Sequence, residues 1–70
     1  MSAIPTGQIV WIVNNLHVGT RDADVIRELY RRMRNNSVWT KPLRRIAYRY
    51  ALEQHHANQR YYAAIARAAL

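Results

Sequence analysis

Apolar residues recur at helical spacing in the first part of the chain, within "TGQIVWIVNNLHV". They lie three or four positions apart, at Ile9, Ile12, Val13 and Leu16. Gly19 stands where such a helix would end. The β-branched and aromatic run "QIVWIV" also fits a strand. We favour a helix, because Asn14 and Asn15 suit a strand interior poorly.

The second segment, from about Thr20 to Arg34, is predicted to be an amphipathic helix. Its acids precede its arginines, so the charges follow the helix dipole. Thr20 or Asp22 is the expected cap. The predicted buried positions are Val25 or Ile26, Leu29 and Met33, and the predicted outward arginines are Arg27, Arg31 and Arg34. The run "NNSVWTKP" then breaks the pattern, with Trp39 expected to anchor the loop and Pro42 in the first turn of the next helix.

No glycine or proline interrupts the chain after Pro42, and its many alanines favour helix strongly. A helix of this length would be on the order of 40 Å long. We therefore expect a break near His56 to Asn58, with Asn58 as a possible cap of a further helix. The predicted fold is all-α: one domain over residues 1–70, a small bundle of three to four helices with a long arginine-rich C-terminal helix.

Five basic residues of this third segment are separated by 4, 7, 4 and 7 positions, so a continuous helix would place them on one face. We call them the basic stripe: Arg45, Arg49, His56, Arg60 and Arg67. The opposite edge predicts a buried seam of Leu43, Ala47, Tyr50, Ala57, Tyr61 and Ala64. Arginines on a solvated helix face usually alternate with acids, whereas this stripe lacks such acids. The pattern favours contact with nucleic acid or an acidic protein.

Aromatic residues are interleaved with these charges. Tyr48 and Tyr62 are expected on the flanks of the stripe with Arg44 and His55, where a tyrosine could stack on an unpaired base. Packing at the edge of the core is the competing interpretation for each tyrosine. The histidines are expected to be exposed or capping groups that add positive charge near a phosphate.

The composition narrows the possible functions. The net charge is +7, and ten of the eleven basic residues are arginine, the side chain best suited to phosphate forks. There is no cysteine, no apolar stretch long enough for a membrane span and no basic segment typical of a secretory signal, so we expect a cytoplasmic protein. No catalytic motif is present, and the adjacent histidines diverge by about 100° on a helix. We expect no enzyme activity, no metal or other cofactor and no small-molecule substrate.

The N-terminal segment carries apolar residues on more than one side. Ile4, Val10, Trp11 and Val13 either complete the core or form a docking patch for a protein partner, with Trp11 as the anchor. A helix-turn-helix spanning Gly19 is a further hypothesis. It is weakened because the putative reading helix opens with Asp22 and Asp24, which would repel phosphates.

The run "ALEQHHANQRYY" resembles short basic proteins of tailed bacteriophages, in which an arginine-rich helix leads into an Ala-Leu, His, Asn, Tyr run. The matching positions are Ala51, Leu52, His55 or His56, Asn58 and Tyr62. The whole chain is similar in style to phage factors that bind the host RNA polymerase. The resemblance implies a transcription regulator in the host cytoplasm, docked on such a polymerase and touching nucleic acid. The alternatives are a dimeric DNA-binding repressor and an inhibitor of a host nucleic-acid machine.

Overall fold

The computed structural model describes residues 5–37 and 39–70, and three α-helices account for most of them. They are α1 (Thr6–Asn14), α2 (Asp22–Met33) and α3 (Lys41–Ala68). No strand occurs in the described part of the chain. The all-α prediction is confirmed, and the first segment is a helix and not a strand.

The core lies where α1 and α2 pack against the first half of α3. Its buried side chains are Ile9, Ile12, Val13, Val25, Leu29, Met33, Trp39, Ala47 and Ala51. The α3 contribution consists of small alanines, which let the larger side chains of the two shorter helices approach its backbone closely. Trp39 anchors the α2–α3 connection, as predicted, and its ring meets Tyr48 edge-on at 6.0 Å between centroids.

Helix α3 is much longer than the bundle that it supports. Its 28 residues span about 42 Å at 1.5 Å per residue, close to the longest dimension of the molecule, 46 Å. Residues 60–70 are all exposed, and we call this C-terminal stretch the projecting arm. The predicted break between His56 and Asn58 is wrong. The Asn58 side chain is hydrogen-bonded to Asn14 and Gln54 and does not cap a new helix.

The ends of the two shorter helices differ from the prediction. Helix α1 ends at Asn14, because the side-chain amide of Asn15 donates to the carbonyl of Trp11 at 2.7 Å and caps the helix there. Helix α2 follows Arg21 and has no side-chain cap at that position. Thr20 and Asp22 were the expected caps. The Thr20 carbonyl and the Asp22 carboxylate are instead hydrogen-bonded to side chains of α3.

The predicted buried seam of α3 is rotated from the true one. Its fully buried positions are Ala47, Ala51 and His55, one turn apart from each other, and of these only Ala47 was predicted. Tyr61 and Ala64, which the sequence placed in the seam, are exposed because α1 and α2 end before they reach this part of α3. The basic stripe nevertheless lies on the side of α3 away from the core.

Candidate nucleic-acid interface

The four arginines of the basic stripe are exposed on the outer side of α3. None of Arg45, Arg49, Arg60 and Arg67 forms an ion pair or a side-chain hydrogen bond with another described residue. Their guanidinium groups retain all of their donors for an external acceptor. Glu53, one turn beyond Arg49, is the only acid of α3, and it too forms no ion pair in the described structure.

The arginines of α2 are in a different electrostatic situation. Arg32 Nε lies 2.7 Å from a Glu28 carboxylate oxygen, and Arg31 bonds the same carboxylate through two nitrogens. These hydrogen bonds, first that from Arg31 and then that from Arg32, lower the pKa of Glu28 to about 2. Asp24 lies 3.4 Å from Arg21 and 3.7 Å from Arg27. Four of the five arginines between residues 21 and 34 are therefore ion-paired, with Arg34 the exception in the described structure, whereas none of the four stripe arginines is paired.

His56 lies in line with the stripe but bonds within the protein. Its Nε2 is 2.9 and 3.0 Å from the two carboxylate oxygens of Asp22, at the start of α2. This interaction joins α3 to the first residue of α2. The basic stripe consequently offers four free arginines rather than five free basic groups.

His56 belongs to a set of four polar residues on α3 that bind the α1–α2 connection, which we call the junction cluster: His55, His56, Asn58 and Gln59. The Asn58 amide donates to Asn14 Oδ1 at 2.8 Å, and the Gln59 amide donates to the carbonyl of Val18 at 2.7 Å. The cluster contacts four positions of the connecting segment and its edges: Asn14, Val18, Thr20 and Asp22.

His55 is the buried member of the junction cluster, with 1% of its surface exposed. Its Nε2 lies 2.7 Å from the carbonyl oxygen of Thr20. Because a carbonyl can only accept, Nε2 must carry the proton. The prediction that the histidines are exposed or capping is wrong for His55. His55 stands in a run of polar residues, 53–56, so the sequence gave no signal that this side chain would lie in the core.

The flanking residues predicted for nucleic-acid contact lie away from the stripe. Arg44 is partly buried, with its guanidinium carbon 5.7 Å from the centroid of the Tyr30 ring. Tyr48 packs against the core, and burial raises the pKa of its phenol. Tyr62 is 53% exposed, on the projecting arm. At about 100° per residue, Arg44, Tyr48, His55 and Tyr62 all fall on the side of α3 that faces the core.

The N-terminal patch is divided by the fold. Val13 belongs to the core, Val10 is partly buried, and Ile4 lies outside the described residues. Trp11 is 59% exposed, with the Arg32 guanidinium carbon 6.0 Å from the centroid of its ring. An exposed tryptophan with a neighbouring arginine is what remains of the patch in the described structure.

A further surface, which the sequence did not predict, is a cleft of about 520 Å³ at the base of the projecting arm. Its walls include Leu16, His17 and Val18 from the α1–α2 connection and Tyr61 and Tyr62 from α3. Gly19 bends close to His17, whose Nδ1 accepts a hydrogen bond from the glycine N–H at 2.9 Å. A Cβ at Gly19 would stand 3.0 Å from that nitrogen, so a glycine suits this close approach.

Two other kinds of site are absent from the described residues. No group of three or more histidines or acids is arranged to hold a metal ion in the described ranges. None of the described helices has the length and apolar character needed to cross a bilayer.

In comparisons with known proteins, no family model matches the sequence, and no curated protein or solved structure shows significant similarity to it.

Proposed function

We propose that this protein is a non-enzymatic regulator of the phage transcription-factor type, which contacts nucleic acid through the four arginines of the basic stripe. In this proposal it also docks on a protein such as RNA polymerase through the N-terminal patch, of which Trp11 is the exposed anchor.

The observation that carries the proposal is the contrast between the outward arginines of α2 and α3. Acids of the same helix neutralise most of the α2 arginines, whereas the four stripe arginines have no partner in the described structure. Four uncompensated guanidinium groups on one helix face repel each other, and a bound polyanion relieves that repulsion. Phosphate groups are the anions that a guanidinium fork binds best.

The same contrast favours α3 over α2 as the element that meets nucleic acid. A helix-turn-helix would place α2 in the major groove. The first turn of α2 carries Asp22 and Asp24, and the segment joining it to α1 comprises seven residues, 15–21, rather than three or four. We therefore propose contact along α3 and not insertion of α2.

Gel-shift measurements with a matched pair of triple variants test the nucleic-acid contact. The test variant replaces Arg45, Arg49 and Arg60 with alanine, and the control replaces the ion-paired Arg21, Arg27 and Arg31, so that each loses three positive charges. We expect the test variant to lose most of its affinity and the control to keep most of it. Equal losses of affinity in the two variants would mean that net charge alone explains the effect. Unchanged binding in both variants would refute the stripe as the interface.

Affinity capture from a host lysate tests the docking contact separately. The wild type and a Trp11→Ala variant are compared with and without nuclease treatment. A polymerase subunit that is retained after nuclease by the wild type and lost by the variant supports docking through Trp11. Capture that disappears with nuclease in both samples would leave nucleic acid as the only partner and would contradict this half of the proposal.

A further inference from the structure

No tyrosine of α3 lies in line with the stripe arginines, and the one ring that does, His56, is bonded to Asp22. At about 100° per residue, the four tyrosines of the helix lie roughly 90° or more from the centre of the stripe. They are Tyr48, Tyr50, Tyr61 and Tyr62. Proteins that bind single strands combine a cationic groove with aromatic platforms for the unpaired bases. The stripe supplies the cations without the platforms.

The stripe is also long and lies on one unbroken helix. Because α3 continues through Asn58 without a break, Arg45 and Arg67 are 22 residues and about 33 Å apart along one axis. This length is close to the ~34 Å of one turn of B-form DNA. A row of cations on one continuous helix matches the fixed phosphates of a duplex, whereas a flexible strand would need no such row.

The junction cluster supports the middle of this row. Its four side chains bond α3 to the α1–α2 connection and to the first residue of α2. The arginines before the cluster, Arg45 and Arg49, lie on the part of α3 that covers the core. Those after it, Arg60 and Arg67, lie on the projecting arm. The arm therefore extends the row beyond the globular part of the molecule.

From these three features we infer that the ligand of the basic stripe is double-stranded DNA, bound along α3 through its phosphates and without reading of base edges. This inference rests on the proposed function and narrows it to one class of nucleic acid. Contacts to phosphates position a protein on DNA and carry no sequence information themselves. Binding should therefore show little preference among duplex sequences.

Fluorescence anisotropy with labelled oligonucleotides tests the inference. The full-length protein is titrated into a duplex of about 20 base pairs, roughly two helical turns, and into each of its separated strands. We expect the duplex to bind at least about tenfold more tightly. If all four arginines engage, log K should fall against log salt with a slope of about −3.6.

Two variants make the result specific to the proposed surface. Replacing Arg49 or Arg67 with alanine should reduce the salt slope by about 1. Replacing Tyr62 with leucine should leave duplex affinity within about twofold, because that ring lies on the opposite side of the helix. Single strands that bind as tightly as the duplex and lose affinity with Tyr62→Leu would overturn the duplex inference while supporting nucleic-acid binding. Absence of binding to both forms would instead refute the proposed function itself.

Discussion

The hydrogen bond from His55 to the carbonyl of Thr20 is expected to be the most important polar contact of the fold. Replacing His55 with leucine keeps a side chain of similar size but removes the donor. The Thr20 carbonyl, 2.7 Å away in the wild type, would then lose its partner beside a residue that is 1% exposed. Leaving a buried acceptor unsatisfied costs about 1–3 kcal/mol.

This cost is a large share of the stability of so small a protein. At roughly 0.05–0.15 kcal/mol per residue, a chain of 70 residues has a free energy of unfolding of about 4–10 kcal/mol. For a domain of this size, a loss of about 2 kcal/mol lowers Tm by roughly 8–16 °C. Circular dichroism at 222 nm during thermal and urea unfolding would measure it directly.

A series of substitutions separates the hydrogen bond from the packing of the ring. His55→Gln places an amide donor at about the distance of Nε2, so it should recover a good part of the stability lost in His55→Leu. His55→Asn has the same amide on a shorter side chain and should recover less. If His55→Leu is as stable as the wild type, or if the glutamine and asparagine variants are equally destabilised, the Thr20 bond is not what makes His55 important.

Two further predictions concern α2 and the projecting arm. Glu28→Gln should lower the free energy of unfolding at neutral pH by about 0.5–1 kcal/mol, as for other ion pairs near a surface. Folding lowers the pKa of Glu28 from 4.5 to about 2, so its contribution to the free energy of unfolding is complete above pH 4.5 and is lost as the pH falls towards 2. Urea unfolding across that range should show a shallower acid dependence of stability in the variant than in the wild type. An unchanged pH profile would contradict this prediction. Deleting residues 64–70, all exposed, should reduce the helical signal but shift Tm by less than about 4 °C. A large loss of stability on deletion would mean that the arm contributes to the core.

The sequence predicted the helices and most of the core because these depend on local periodicity. Val25, Leu29 and Met33 are buried at the predicted spacing, and Ile9 and Ile12 likewise. Trp39 could be predicted to anchor the loop, because a large aromatic side chain in a polar turn is usually buried against the core. These features follow from the pattern of one segment at a time.

The errors arose where a residue's role depends on a segment far away in sequence. Asn58 has a strong preference for caps, yet its partner is Asn14, 44 positions earlier. In the sequence, His55 is one of several polar residues on a helix. Its burial is favourable because its ring donates a hydrogen bond to the carbonyl of Thr20. The seam was misplaced because the sequence of α3 does not record where α1 and α2 end.

The run "HHANQ" at residues 55–59 connects the fold to the proposed function. Its four polar side chains are hydrogen-bonded to the α1–α2 connection and its edges. They bond α3 near its middle to the rest of the fold, and the helix continues through this run. The stripe arginines on either side of the run therefore lie on one continuous helix. Substitutions that weaken the junction cluster should therefore reduce the contribution of Arg60 and Arg67 to nucleic-acid binding more than that of Arg45 and Arg49. Only Arg60 and Arg67 depend on the direction of the projecting arm.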